Sequence, residues 1–187
     1  MDTITADMVK VNLIAIGAVF VVLLFTMKSL SLPLILVLAI ETAIWINMGI
    51  PYFDGQIVFY IAYLIISSVQ LGATVDYAIL FTDRYMEFRQ SMSKKDAVKN
   101  TVSAVTVSLL TSGTVMASVG FLLGFISTHG ILSQLGLFLG KGTLLSMAIV
   151  FFVLPGLLYI FDGLIRHTTM NTNFYDQRKE IKSNETV

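Results

Sequence analysis

Long apolar stretches, separated by short polar ones, dominate the pattern of the chain. Residues 11–27 contain only Asn12 and Thr26 as polar side chains, and no charged residue occurs from Asn100 to Gly140. A helix needs about 20 apolar residues to cross the hydrocarbon core of a membrane. The pattern therefore predicts five transmembrane helices, at about 11–29, 33–50, 57–83, 101–126 and 135–161.

Local signals support helices and indicate where they begin and end. The apolar stretches are continuous and do not alternate with polar residues, which favours helices over a barrel. Pro33 suits the start of the second helix and Pro51, followed by Asp54, suits its end. Residues 93–96 resemble a capping box before the fourth helix, and small polar residues at 127–130 indicate a turn. The predicted fold class is an all-α membrane protein.

The composition points to the same environment. Hydrophobic residues make up 56% of the 187 residues and charged residues only 13%, whereas a soluble domain has about 25% charged residues. The 12 basic and 12 acidic residues cancel, which removes the electrostatic argument for a nucleic-acid partner. With no cysteine and two histidines, no credible set of zinc, haem or iron–sulfur ligands is present. We expect neither a metal nor a cofactor.

The basic residues predict the orientation. Five helices place the turn at 28–32, the segment at 84–100 and the C-terminal tail on one side, and ten of the twelve basic residues lie there. By the positive-inside rule this side is cytoplasmic. We expect a multi-pass protein of the cell membrane with its N-terminus outside and its C-terminus inside. The predicted divisions are an extracytoplasmic segment at 1–10, a transmembrane domain at 11–165 and a cytoplasmic tail at 166–187.

Three ionisable residues fall within the predicted helices: Glu41, Asp76 and Lys141. Each costs about 2.5–3.5 kcal/mol on membrane-insertion scales, so each requires an explanation. Asp76 is the most informative, because Ser68 and Gly72 precede it at four-residue spacing and form one polar, small-residue stripe. We expect this stripe to face protein and not lipid.

The fourth helix offers partners for Asp76. Ser108, Thr111 and Ser112 lie at the matching depth on one face. We expect the carboxyl group to meet these hydroxyls and, without a fixed cation nearby, to take up and release a proton at working pH. A structural helix-pairing contact is the alternative interpretation.

The sequence allows more than one role for each of the other two ionisable residues. For Glu41, a paired structural carboxylate and a functional role are equally consistent with the sequence. Lys141 lies 21 residues before Asp162, or about 31 Å along a helix, so we expect it to anchor the chain at the outer interface.

Glycines in the last two predicted helices recur at four-residue spacing. This spacing permits the close approach of two helices, so we expect the fourth and fifth helices to pack tightly. The residues are Gly120, Gly124, Gly136 and Gly140.

The segment from Gly72 to Tyr85, which contains Asp76-Tyr77, resembles the Gly-x-x-x-Asp-Tyr signature on the fourth helix of each half of RND-superfamily transporters of the MMPL type. Four further motifs follow in the order and spacing of such a half: Ser108-Leu-Leu-Thr111-Ser112-Gly113, Gln134-Leu-Gly136, Gly140-Lys141-Gly142 and Leu154-Pro155. The resemblance covers about residues 8–165. It implies that the five helices correspond to helices two to six of one half, the block shared with sterol-sensing domains.

The resemblance also implies a function, the export of a hydrophobic or amphipathic molecule driven by proton entry. Asp76 would be the proton acceptor and Tyr77 its neighbour in the relay. A family member has two halves, each with a leading helix and a large extracytoplasmic domain, so an N-terminal half is expected elsewhere, in the same polypeptide or as a separate chain. The polar C-terminal tail is what we expect at the end of the second half of such a transporter. Membrane lipid is the other expected partner.

Three rival functions remain at this stage. The block could bind lipid or sterol, or act as a scaffold, without transport. An intramembrane aspartyl protease would need two carboxyls at close range, and only Glu41 could stand beside Asp76, so we do not expect an enzyme. A channel lacks the ring of charges or the carbonyl filter that it would need.

Overall fold

The computed structural model describes residues 2–27, 29–53, 55 and 58–169, most of them in long helices. The sequence predictions that concern Lys28, Asp54 and the tail from residue 170 onward lie outside these residues. The helices are α1 Asp2–Met27, α2 Ser31–Phe53, α3 Tyr60–Arg89, α4 Lys94–Ile126, α5 Gly130–Ala148 and α6 Leu154–Thr168.

Five helical rods in the described part of the chain are long and apolar enough to cross a membrane, because α5 and α6 form one continuous rod from Gly130 to Thr168. The predicted fold class is confirmed. Several helices are longer than predicted: α3 continues to Arg89, α4 begins at Lys94, and α1 already begins at Asp2, within the segment predicted to precede it. Counting apolar residues measures the hydrocarbon thickness, whereas a helix continues into the polar interface wherever its backbone bonds are satisfied.

A side-chain cap, a turn and a proline explain where the helices begin, end or change their winding. Ser93 caps α4, because its Oγ accepts a hydrogen bond from the backbone N–H of Asp96 at 3.3 Å. The turn between α4 and α5 falls at residues 127–129, as predicted. Between α5 and α6 a π-helical turn, Ile149–Val153, precedes Pro155. Proline has no N–H to give to the preceding turn, and a wider turn accommodates that interruption without breaking the rod.

The largest core lies where the start of α2, the second half of α3 and α6 meet, and α3 packs against α1, α2, α4 and α5. Because successive helices run in opposite directions, this core lies in the half of the bundle that holds the C-terminal end of α3. Fully buried side chains there include Leu36, Phe81, Tyr85, Leu158 and Ile165. This end of the bundle is therefore the well-packed one.

Glycines bring the backbones of α4 and α5 into direct contact. A Cβ atom added at Gly136 would lie 2.3 Å from the backbone nitrogen of Gly124 and 2.6 Å from the carbonyl oxygen of Gly120. A Cβ atom at Gly120 would lie 2.6 Å from the backbone nitrogen of Gly140. No side chain fits at these positions unless the helices separate, so the glycines set the distance between them.

A buried ion pair connects α3 to α6 at the same end as the core. Arg89 donates from Nε to Oδ1 of Asp162 at 2.8 Å and from Nη2 to Oδ2 at 2.9 Å. The Tyr85 hydroxyl donates to Oδ1 at 2.7 Å. Two parallel bonds from a planar guanidinium fix both distance and orientation, so this contact sets how α6 lies against α3. Arg89 lies in the basic segment at 84–100 that predicts the orientation, and the sequence pattern does not indicate its pairing with Asp162.

We expect Gly136→Ala to destabilise the bundle by about 2 kcal/mol or more, since the added methyl group would meet backbone and not a movable side chain. The measurement is unfolding in detergent with increasing dodecyl sulfate, followed by far-UV circular dichroism. Gly156→Ala is the matched control, because a Cβ there meets nothing within 4 Å. Equal stabilities of the two variants would contradict the packing argument.

We expect Asp162→Asn to cost about 3 kcal/mol or more in the same assay, because it leaves a buried guanidinium without its counter-charge. Glu87→Gln is the control. The Arg84–Glu87 pair has side chains that are 51% and 62% exposed, and exposed pairs contribute about 0–1 kcal/mol. A loss for Asp162→Asn no larger than that of the control would show that the buried pair does not hold α6.

Candidate functional site

Asp76 lies near the middle of α3, with an exposed side chain on the surface of the bundle. It follows Tyr60 by 16 residues and precedes Arg89 by 13, which places it about 24 Å and about 20 Å from the two ends at 1.5 Å per residue. Among the described residues nothing hydrogen-bonds or ion-pairs with it. A carboxyl group at this depth, unpartnered among the described residues and facing outward, makes this surface a candidate functional site.

The stripe of Ser68, Gly72 and Asp76 is exposed along its whole length. A Cβ atom at Gly72 would meet nothing within 4 Å, and the Ser68 hydroxyl donates to the Leu64 carbonyl of its own helix. No helix among the described residues covers the stripe, so the expectation that it faces protein and not lipid stays a prediction. The reason is that α3 turns the opposite face, with Gln70 and Thr74, into the bundle.

The structure does not show the expected contact between Asp76 and the α4 hydroxyls among the described residues. Ser108, Thr111 and Ser112 are all exposed, and none of them hydrogen-bonds to Asp76. The Thr111 hydroxyl donates to the Val107 carbonyl at 2.8 Å. The cause is the burial pattern of α4, which turns a different row of residues inward: Ala97, Thr101, Val105, Leu109, Gly113 and Ala117.

Tyr77 follows Asp76 in the sequence but lies on another face of α3. Successive residues of a helix point about 100° apart, and Tyr77 is buried in the main core with 6% of its surface exposed. The two side chains therefore occupy different environments. A role for Tyr77 beside Asp76 stays a prediction.

A buried polar network that the sequence pattern does not predict joins α2, α3 and α5. Asn47 Nδ2 donates to Gln70 Oε1 at 2.7 Å and to the Phe138 carbonyl at 3.2 Å. The Thr74 hydroxyl bonds both the Gln70 carbonyl and Ser146 Oγ, each at 2.7 Å. In the sequence, the only sign of this network is that two amide side chains, those of Asn47 and Gln70, fall within otherwise apolar helices. Periodicity does not predict which polar residues of different helices meet.

This network contains one buried acceptor without a hydrogen bond and one glycine against which the amides pack closely. Oδ1 of Asn47 is buried without a hydrogen-bond partner among the described residues. A Cβ atom at Gly142 would lie 2.6 Å from Asn47 Nδ2 and 2.7 Å from Gln70 Oε1. Gly142 therefore leaves the space in which the two amides meet.

The remaining intramembrane charges lie apart from Asp76 on their own helices. Glu41 is partly buried on α2, where Trp45 Nε1 donates to its Oε2 at 3.0 Å. Lys141 is exposed on α5, 11 residues after Gly130, or about 16 Å along the helix. Its role as an interfacial anchor stays a prediction. Within the part of the chain that the structure describes, no three acidic, histidine or cysteine side chains could hold a metal ion.

Comparison with known proteins gives two matches. The sequence profile of the MMPL family matches residues 1–178. The membrane protein SCO6666 of Streptomyces coelicolor is 32% identical over 165 residues, which cover 85% of this chain but only 23% of that protein. The chain thus spans about a quarter of the length of the relative that it matches.

We expect the Gly72 face of α3 to be accessible from the lipid when this chain is reconstituted alone. The chain has no cysteine, so a spin label on Gly72→Cys reports one site. Oxygen accessibility in electron paramagnetic resonance should be higher there than for a label on Ala78→Cys, because Ala78 is 1% exposed. A label at position 72 that is as immobile and protected as the one at position 78 would contradict the placement of the stripe.

Proposed function

The chain belongs to the MMPL family of the RND superfamily, and we propose that it is the five-helix block of a proton-driven exporter of hydrophobic or amphipathic molecules. MMPL proteins are membrane transporters and not, in general, enzymes. Family membership and five apolar helices make the chain a multi-pass membrane protein with a transport-related role. Proton coupling, export and the class of substrate are our proposal.

The exposure of Asp76 carries this proposal. A lipid-facing carboxyl group in the middle of a span is strongly disfavoured. The side chains of the nearby Ser68 and Gly72 are small, so a second helix could approach this polar surface closely. A further transmembrane segment that covers this face would remove the cost. The relative is about four times as long as the match, so a full-length protein of this kind could supply that segment.

The proposed role of Asp76 follows from its position. When it binds a proton the face becomes neutral, and when it releases the proton the face carries a charge that the covering segment must accommodate. A charge that moves through about 100 mV gains about 2.3 kcal/mol, which biases a two-state equilibrium about 50-fold. This bias is large enough to drive an alternating-access cycle.

In this proposal the α4 hydroxyls do not contact Asp76 directly. Ser108, Thr111 and Ser112 are exposed, so any relay through them would run across the covering segment and not directly from Asp76 within this chain. The proposed orientation keeps the N-terminus outside and the C-terminus in the cytoplasm, because the basic residues concentrate on the side where α3 ends.

Lipid binding without transport is the second candidate function. The observation that favours it is a cavity beside α1, whose membrane-spanning part is largely exposed. In that case Asp76 would serve only to pair helices, and a proton gradient would not affect the activity.

We expect Asp76→Asn to slow gradient-driven export by roughly tenfold or more, since the amide keeps the shape of the carboxyl group but cannot carry the proton. The assay follows efflux of the membrane dye Nile red from cells that contain the complete assembly, with and without an uncoupler. Glu87→Gln, an exposed carboxyl on the same helix, is the control. Uncoupler-sensitive export at the unmodified rate in Asp76→Asn would overturn the proposed coupling.

A further inference from the structure

The face of α3 that carries Asp76 holds a second exposed carboxyl group, that of Asp83. The two residues are seven positions apart, which is about 10 Å along the helix with a rotation of only about 20° between the side chains. Asp83 precedes Arg89, the last residue of α3, by six positions, or about 9 Å. It therefore lies between Asp76 and the end of α3 that the basic residues predict to be cytoplasmic.

The ion pair next to Asp83 does not include it. Arg84 follows Asp83 directly, but its Nη1 donates to Oε2 of Glu87 at 2.7 Å. Glu87 is also exposed on this face of α3, so its carboxylate is already held by a guanidinium. Within the part of the chain that the structure describes, the Asp83 side chain forms no hydrogen bond and no ion pair. A carboxylate that is not held by a cation can bind and release a proton without first breaking such a bond.

The distance between Asp76 and Asp83 excludes a direct transfer. Proton transfer needs heavy atoms about 2.6–3.2 Å apart, or one bridging water, and about 10 Å of helix separates the two residues. Ile79 and Leu80 lie between them on the same side of α3 and are apolar. The bridge must then consist of water or of polar groups on the segment that covers this face. A segment that covers Asp76 along α3 would also pass Asp83, because the two residues share one face.

We propose that Asp83 is a proton-transfer residue between Asp76 and the cytoplasm, a role that rests on the proposed coupling at Asp76. Protonated Asp76 gives its proton through the bridge to the Asp83 carboxylate, which leaves Asp76 charged and Asp83 neutral. Asp83 then gives the proton to water at the end of α3 and becomes charged again. The step consumes nothing else, and it adds a residue outside the predicted relay of Asp76, Tyr77 and the α4 hydroxyls.

The experiment measures proton entry into proteoliposomes in which the turn between α3 and α4 of the complete assembly faces the interior. Trapped pyranine reports the internal pH, Nile red is the transported dye, and trapped MES is present at a low or a high concentration. The proton flux is corrected for the buffering capacity of MES.

In low MES we expect Asp83→Asn to slow proton entry about tenfold, whereas Asp83→Glu, which keeps the carboxyl group, should retain most of the rate. High MES should restore most of the rate of Asp83→Asn. The reason is that a soluble base at the end of α3 can then accept the proton in place of the missing carboxylate. A purely structural role of Asp83 would not respond to the buffer.

Two further variants separate this proposal from the proposed coupling. Glu87→Gln, on the same face, should keep the normal rate at both MES concentrations. Asp76→Asn should stay slow at both, because the buffer does not reach the middle of α3. If Asp76→Asn is slow, a normal rate of Asp83→Asn in low MES, or a slow rate that high MES does not restore, would overturn the role of Asp83 alone. A normal rate of Asp76→Asn would overturn the coupling and, with it, the transfer to Asp83.

Discussion

Water cannot satisfy a polar group inside the hydrocarbon region, so each buried donor or acceptor of this bundle must find its partner within the protein. Asn47 reaches Gln70 on another helix, and Thr74 reaches Ser146. Arg89 holds Asp162 with two bonds toward one end of α3. Apolar contacts alone would allow neighbouring helices to slide and rotate, since lipid is as apolar as they are. The few polar contacts therefore set the register of the bundle.

Asp76 lacks a partner among the described residues, as the buried Oδ1 of Asn47 does, but its side chain lies on the surface of the bundle. Among the described residues, the serine and glycine beside it form an open surface and not a helix contact. The partner of Asp76 is best sought outside this chain, which accounts for 23% of its longer relative.

Much of the fold follows from the sequence, because hydrocarbon thickness dictates the length of apolar runs and turn residues interrupt them. The faces of the helices do not follow in the same way. A helix that is apolar all round carries little information on which side faces its neighbours, so the outward position of Asp76 and Ser108 could not be predicted. The Arg89–Asp162 pair spans 73 residues and becomes visible only in the folded bundle. Among the sequence patterns, glycine spacing predicts a helix contact best, because it acts through backbone distance alone.

The position of α3 connects the interior of the bundle to the Asp76 surface. Thr74 and Asp76 are two residues apart, hence about 200° around the helix, so one points into the polar network and the other outward. A rigid movement of α3 that repositions Asp76 must also change the Thr74–Ser146 and Asn47–Gln70 bonds. The unsatisfied Oδ1 of Asn47 is an acceptor available when those bonds exchange. The Arg89–Asp162 pair ties the C-terminal end of α3 to α6, so any such movement of α3 would be restricted most strongly at that end.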